Sequence, residues 1–459
     1  MSISTTQPSG STAYQQIEDF KHRDDRGGDI ERNGLKSKTS EQATQTLTRS
    51  HKGFNDKNSD GTTRVTYSFV PASKKPQGEQ GNYQGVSNID EKQQTQTRDA
   101  LNTWSDVTNL KFVEGPKDKD SEGHIAFGSF NKTKINKEFK PFAPHTVHPN
   151  ASDPNAQIWT KPKDTEGPAG KAILIHEIGH AIGLDHPGNY GKEYREKKLG
   201  YKEDSKTHSI MSTYHHGNPP QTPMIDDIAA MQGKYGANYE TRKDDTTYGF
   251  NSNANRAAFR LNSEKDTMRV AIWDGGGNDT LDFSGYKTDQ KINLNEGTFS
   301  NVGGADRNVG IAYGAVIENA TGGQGNDLIL GNDVANELHG GAGDDVIAGG
   351  KGADTLWGGK GSDVFVYGNV SESSWPTDPD QIMDFESGKD KVDISGIRQE
   401  LGLPLRQVEV QAGTLYAGEY SIAYDPKEDL STLRVRGKHA GESLMVHVHG
   451  RLQPGDIVT

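Results

Sequence analysis

The chain of 459 residues contains no cysteine. Disulfides are therefore excluded, and so are thiolate ligands for a metal. Apolar residues are scarce, at 31%. No run of 18 apolar residues occurs, so no transmembrane helix is expected. Positive charge is also in deficit: the formal net charge is -13, and without a domain-scale basic surface nucleic-acid binding is not expected. The stretch Met1 to Tyr14 is rich in Ser, Thr and Gln and lacks the basic-then-apolar pattern of a signal peptide. Taken alone, that pattern points to the cytoplasm.

What the chain does have is length and glycine, with 55 glycines. The length exceeds one ordinary hydrophobic core, so two domains are expected. Residues 1–62 are polar and nearly free of apolar clusters; they read either as a disordered tail or as a removable pro-segment lying over the active site. Val65 to Phe69 and His124 to Phe130 alternate as strands do, and Leu110 to Val113 is a further short apolar run. Leu101, Trp104 and Val107 predict a helix over 91–107. Residues 131–169 read mostly as loop. A helix is expected over Ala172–Gly183. Another is expected over Thr222–Tyr235, with Pro223, Asp226 and Asp227 in its first turn and Ile225, Ile228, Ala229 and Met231 on its apolar side.

The most specific signal is His176-Glu177-Ile178-Gly179-His180-Ala181-Ile182-Gly183-Leu184-Asp185-His186. Residues four apart lie one above the other on a helix, so His176 and His180 present two imidazoles to one point. Gly183 ends the helix, and a left-handed conformation there turns the chain so that His186 returns as a third ligand. Three histidines leave a fourth position open, which marks a catalytic rather than a structural zinc site. Glu177, beside His176, is placed to take a proton from the attacking water and deliver it to the leaving amine. Met211, in Ser209-Ile210-Met211-Ser212, is expected to form an apolar floor on a tight turn. Tyr214 is a candidate zinc ligand and oxyanion donor. The alternatives are a surface tyrosine, or a polar role for His215 or His216.

From about Asp274 the period changes. Gly323, Gly341, Gly350 and Gly359 fall on a nine-residue grid, with Gly325, Gly343, Gly352 and Gly361 two places on. Asp327, Asp345, Asp354 and Asp363 follow on the same grid; Asn332 and Asn336 fill the missing repeat. An isolated earlier copy carries Gly277 and Asp279. This is the pattern of a parallel β-roll. Loop carbonyls and one carboxylate per repeat suit several calcium ions, and the roll is expected to fold on binding them. Weak calcium sites do not fill in the cytosol, which argues against a cytoplasmic protein. Short strands after residue 366, among them 432–435 and 444–448, are expected to close the roll.

With His176 to Gly188, Ser209 to Met211 and the glycine-aspartate grid in hand, the chain resembles the serralysin family of secreted bacterial metalloproteases, within the metzincins. Leu47-Thr48-Arg49, Val65 to Phe69 and Tyr248 to Ser252 are similar to further segments of that family. The resemblance implies an α+β zincin-like catalytic domain followed by an all-β parallel β-roll. It divides the chain into a propeptide and N-terminal extension (1–62), a catalytic domain (63–245) and a calcium-binding roll with a secretion signal (246–459). It implies a zinc endopeptidase of broad specificity, made as a zymogen, secreted by a type I apparatus that reads the C-terminal end, and in some members blocked by a small periplasmic inhibitor. Asp456-Ile457-Val458-Thr459 is similar to the family's terminal motif, with one extra residue. A monomer is expected.

Two features depart from the family pattern. Thr213 separates Ser212 from Tyr214 where the family reads M-S-Y. Phe139 to His145 replaces an Ala-Tyr-rich edge segment, leaving the exposed edge of strand 124–130 as the expected place for a substrate strand. A calcium-dependent adhesin or toxin, or a hydrolase of small esters or amides, are the competing classes. Intact Glu177 argues against the first, and casein cleavage separates them.

Overall fold

The computed structural model describes residues 11–50, 52–56, 59–73, 84–132, 144–149, 153–188, 190, 199–214, 217–374, 379–409, 414–439 and 441–459. Phe139 to Ala143, His215 and His216, considered above, lie outside these.

The first half is built on one twisted sheet. Its strands are β1 (Thr63–Phe69), β2 (Gln84–Ser87), β3 (Leu110–Glu114), β4 (Gly123–Lys132), β5 (His145–Val147) and β6 (Asn155–Thr160). The order is β3-β1-β4-β6-β5, with β2 pairing antiparallel along β4. The first four strands of that order run parallel, and β5 alone runs antiparallel on β6 at the edge.

Helix α3 (Glu91–Val107) starts at a capping box between Asp90 and Gln93 and buries Ala100, Leu101, Trp104 and Val107. The Trp104 indole N–H donates to Ile175 O at 3.1 Å, which ties α3 to α4 (Gly167–Ile182).

Three expectations are corrected here. The described residues of 131–169 are not mostly loop: β5, β6 and the start of α4 lie among them. The helix carrying the histidines begins at Gly167, because Pro168 suits a first turn that lacks an N–H partner. Strand 124–130 has no free edge, since β4 is paired on both sides. The sheet ends at β3 on one side and at β5 on the other, and β5 is the edge that faces α4.

Helix α5 spans Ile225–Tyr235, so Pro223 precedes its cap at Met224 rather than opening its first turn. Its buried face includes Asp226 and Asp227 as well as Ile225, Ile228, Ala230 and Met231, while Ala229 is half-buried.

The second half is a roll whose two main sheets run parallel through the repeats, with a small three-stranded sheet (270–272, 309–311 and 299–300) beside it. One holds strands 291–293, 328–330, 346–348, 364–366, 391–393 and 457–458. The other runs through 247–249, 280–282, 319–321, 337–342, 355–360 and 380–382, then continues into three long strands, 443–449, 430–436 and 419–425, and the short strand 406–407. Ile329, Ile347 and Phe365 stack inward from the first sheet, Leu338 and Leu356 from the second. Successive nonapeptides thus alternate between sheets, and one full turn takes two of them. Ile457 and Val458 close the first sheet beside Lys391–Asp393, and the buried Asp456 accepts from Ser387 Oγ at 2.6 Å and Gly388 N at 2.9 Å.

Residues 12–50 are not the loosely packed segment that their composition suggested. Helix α1 (Ala13–Lys21) is capped by Thr12 and lays Ile17 and Phe20 on Leu328, Leu330, Ala348 and Val366 of the roll. Arg23 and Asp24 then grip the loop 299–307. Arg26 makes a bidentate pair with the fully buried Asp226, at 2.7 and 3.1 Å. Helix α2 (Ser40–Leu47) packs beside α5. Residues 12–50 therefore form a strap across both halves.

Candidate metal centre

Helix α4 places His176, Glu177 and His180 on its inner side. It ends at Gly183, whose φ of 117° is open to glycine and costly for a residue with a Cβ. The N–H groups of Gly183 and Leu184 return to Gly179 O at 3.1 and 2.9 Å, and the chain reverses toward His186.

The structure brings the three histidines together. Nε2 of His186 lies 3.2 Å from Nε2 of His176 and 3.1 Å from Nε2 of His180. His176 Nδ1 faces Ile210 O at 2.9 Å, and His180 Nδ1 faces Leu184 O at 2.7 Å. Each carbonyl requires a proton on Nδ1, which leaves the Nε2 lone pair free to point inward. Burial, with the neighbouring imidazoles, pushes His176 down to about 3 and His180 well below the usual range, so both are neutral, as ligands must be. Among the described residues this is the one group of three His, Cys, Asp or Glu side chains whose ligand atoms lie within 4.8 Å of one another.

Glu177 is buried beside this cluster. Burial raises its carboxyl to about 7 against the opposing hydrogen bond from Thr146 Oγ1 at 2.7 Å. Thr146 belongs to β5, and so lay in a region read as loop. His148 follows it to the same helix, with Nδ1 at 3.1 Å from His180 O and its ring edge-on to that of His180.

Met211 is fully buried under the centre; a Cβ on Gly179 would come within 2.7 Å of its sulfur. Its turn is held by Asp227. One carboxylate oxygen accepts from Ser209 Oγ at 2.6 Å, and the other from Ile210 N at 2.6 Å and Met224 N at 2.9 Å. The sequence shows Asp227 only as an acidic residue in a first helical turn.

Tyr214 is 41% exposed; its N–H donates to Ser212 Oγ at 3.1 Å and its carbonyl accepts from Lys206 N. The aromatic ring beside His186 is that of Tyr190, at 5.4 Å between centroids. The Tyr190 and Ser212 hydroxyls both donate to Asp204 Oδ1, at 2.5 and 2.7 Å. The strap reaches this turn too: Arg49 Nη1 donates to His186 O at 2.7 Å, Asp185 N to Leu47 O at 2.6 Å, and Ser50 N to Asp185 Oδ2 at 2.7 Å.

In the roll the repeat carboxylates form ladders. Asp327 N–H donates to Asp345 Oδ1 at 2.7 Å, Asp345 N–H to Asp363 Oδ1 at 2.9 Å, and Asp363 N–H to Asp390 Oδ1 at 3.0 Å. A second ladder runs Asn336, Asp354, Asp380. The Oδ2 atoms of Asp345, Asp354 and Asp363 are buried without a hydrogen-bond partner. Asp327 turns Oδ2 to the Gly323 N–H, and Asp279 accepts from Thr246 N at 2.7 Å. Gly323, Gly341 and Gly359 stack so closely that a Cβ on Gly359 would sit 2.1 Å from Gly341 O. Gly343 and Gly361 stack on Gly325 in the same way, and Gly350 and Gly352 on Asn332 and Val334. Gly277, in the early copy, lies against Asp244 O. Asp380 and Asp390 lie beyond the repeats; the available signal was an acid just before a short apolar strand, as in the repeats themselves.

Comparison with known proteins gives two family matches. Residues 80–192 match the family described as Matrixin, and residues 237–459 match Peptidase M10 serralysin C terminal. The chain is 41% identical to metallopeptidase AprA of Pseudomonas marginalis, over 98% of this chain and 97% of that protein. It is 42% identical to metalloprotease AprA of Pseudomonas entomophila, over 99% and 97%. It is 38% identical to serralysin B of Dickeya chrysanthemi, over 97% and 95%.

Proposed function

Since the chain belongs to the serralysin family of M10 peptidases and is a metalloendopeptidase, we propose that it is a secreted zinc enzyme that cleaves internal peptide bonds of proteins at the centre formed by His176, His180 and His186. The observation that carries this reading is the approach of His176 Nε2 and His180 Nε2 to His186 Nε2, at 3.2 and 3.1 Å, with a buried carboxyl alongside. Three imidazole nitrogens aimed at one point suit zinc and leave room for a fourth ligand. A zinc ion bound there supplies a Lewis acid that polarises the scissile carbonyl and acidifies a water.

The chain's own groups do the rest. Glu177, raised to about 7, is poised to take a proton from the attacking water and give it to the leaving nitrogen. Met211 closes the floor. Tyr214 is the proposed hydrogen-bond donor to the oxyanion, swinging in from its exposed position. The substrate lies along the free edge of β5 as an added strand; backbone pairing of that kind tolerates many side chains and accounts for broad specificity.

The roll, in this reading, binds several calcium ions. The unpartnered Oδ2 atoms and stacked glycine carbonyls supply the hard oxygen ligands that calcium takes, and carbonyls are needed because, among the described residues, the carboxylates do not cluster in threes. Asp380 and Asp390 join Asp279, Asp327, Asp345, Asp354 and Asp363 as proposed calcium carboxylates. Calcium-driven folding outside the cell would support type I secretion, with 63–245 as the catalytic domain and 246–459 as the roll.

The test is casein hydrolysis by mature protein in calcium, with Glu177→Ala and with 1,10-phenanthroline. Activity lost in both arms is the expected result. No activity from mature, zinc-loaded wild type would overturn the protease reading.

A further inference from the structure

The strand β5 and the helix α4 meet at two points one helical turn apart. Thr146, in the strand, and His148, just past its end, reach Glu177 and His180, three residues apart on the helix. Thr146 Oγ1 lies 2.7 Å from Glu177 Oε2 and 2.9 Å from Glu177 O. Among the described residues it is the one hydrogen-bond donor to that carboxylate. Glu177 is 6% exposed.

We propose that Thr146 is a positioning residue for the hydrolytic step, fixing the Glu177 carboxyl and tying it to the strand along which substrate lies. A glutamate has three side-chain torsions, and an unheld carboxylate spreads over several rotamers, only some of which face the reacting water. One hydroxyl on a rigid strand selects among them. The hydroxyl has a second acceptor in the Glu177 carbonyl, so it stays bonded whether or not the carboxyl carries a proton. His148 adds a second anchor at His180 O, so the strand cannot slide along the helix without breaking both contacts. Substrate pairing with β5 therefore bears on the same strand that aims the proton carrier. The inference rests on the reading of Glu177 as that carrier.

The experiment compares mature wild type with Thr146→Val, Thr146→Ser and Glu177→Ala on a quenched fluorescent peptide. Valine keeps the shape and the β-branch and removes the hydroxyl. The expected result is a kcat lower by about tenfold in Thr146→Val, the rate equivalent of one net hydrogen bond, with KM within about twofold. Thr146→Ser should recover most of that loss. Zinc affinity, read by competition with a chelator, should be unchanged in all variants, because Thr146 touches no histidine nitrogen. Wild-type kcat in Thr146→Val, or equal rates for the serine and valine variants, overturns the proposal. If valine disturbs folding, Thr146→Ala against Thr146→Ser gives the same decision. Retained activity in Glu177→Ala sinks the proton-carrier reading itself; a dead Glu177→Ala beside a normal Thr146→Val sinks only the role of Thr146.

Discussion

Asp227 accepts the Ile210 N–H at 2.6 Å in a site closed to water, and the carbonyl of that same Ile210 faces His176 Nδ1 at 2.9 Å. A buried carboxylate on α5 thereby bears on the orientation of an imidazole on α4 through the backbone of one residue. Asp227→Ala would strand three buried donors, those of Ser209, Ile210 and Met224. The expected loss is about 3 kcal/mol of stability, with weaker zinc binding on top. Urea denaturation and chelator competition measure the two separately; unchanged zinc affinity in a destabilised variant would confine Asp227 to the fold.

Arg26→Ala should be more damaging than its place near the N-terminus suggests. It leaves the carboxylate of Asp226 fully buried and unpaired. Breaking such a pair costs about 3–5 kcal/mol. Arg26→Ala,Asp226→Leu should recover part of the loss, and equilibrium denaturation of the single and double variants gives the comparison.

The roll should respond to pH in opposite ways with and without calcium. Burial raises Asp279 and Asp345 to about 8, Asp354 to about 7, and Asp327 and Asp363 to about 6. A carboxyl raised in the folded state binds protons more tightly there than in the unfolded chain. Calcium-free roll therefore loses stability as pH rises from about 4 to about 8. Calcium displaces those protons, so its stabilising effect should grow over the same interval. Calorimetry across this range, with calcium and with chelator, checks it; a calcium effect independent of pH would falsify the carboxylate assignment.

Gly183→Ala tests the turn that delivers His186. Its φ of 117° puts an alanine Cβ against the backbone at a cost of about 1–2 kcal/mol. Relaxing that strain moves His186, so zinc should dissociate faster while the far-UV spectrum is kept. Unchanged zinc release would place the strain elsewhere in the turn.

Much of this architecture was legible because it is periodic. The four-residue spacing of His176 and His180 makes their meeting a property of the helix, and the grid from Gly323 to Asp363 alternates between sheets as a roll requires. What was hidden depends on contacts distant in sequence. Thr146 sits in a Pro/Lys/Asp-rich segment with no strand pattern, yet backbone pairing to β6 makes it one. Asp226 and Asp227 look like first-turn acids, and their burial follows only from Arg26 and the turn at Ser209. Helix α1 has two large apolar residues, Ile17 and Phe20, too few to announce a buried face until the roll is there to receive them.

That last contact has a kinetic consequence. The Tyr14 N–H reaches the Asp393 carboxylate, 379 residues away, and α1 otherwise rests on strands contributed by residues 328–366. Closing a loop of that length is entropically costly and slow, and the contact has no surface to form on until the roll exists. Docking of the first helix is therefore among the last events in folding. A chain cut short before residue 328 would lack the surface that receives its own first helix.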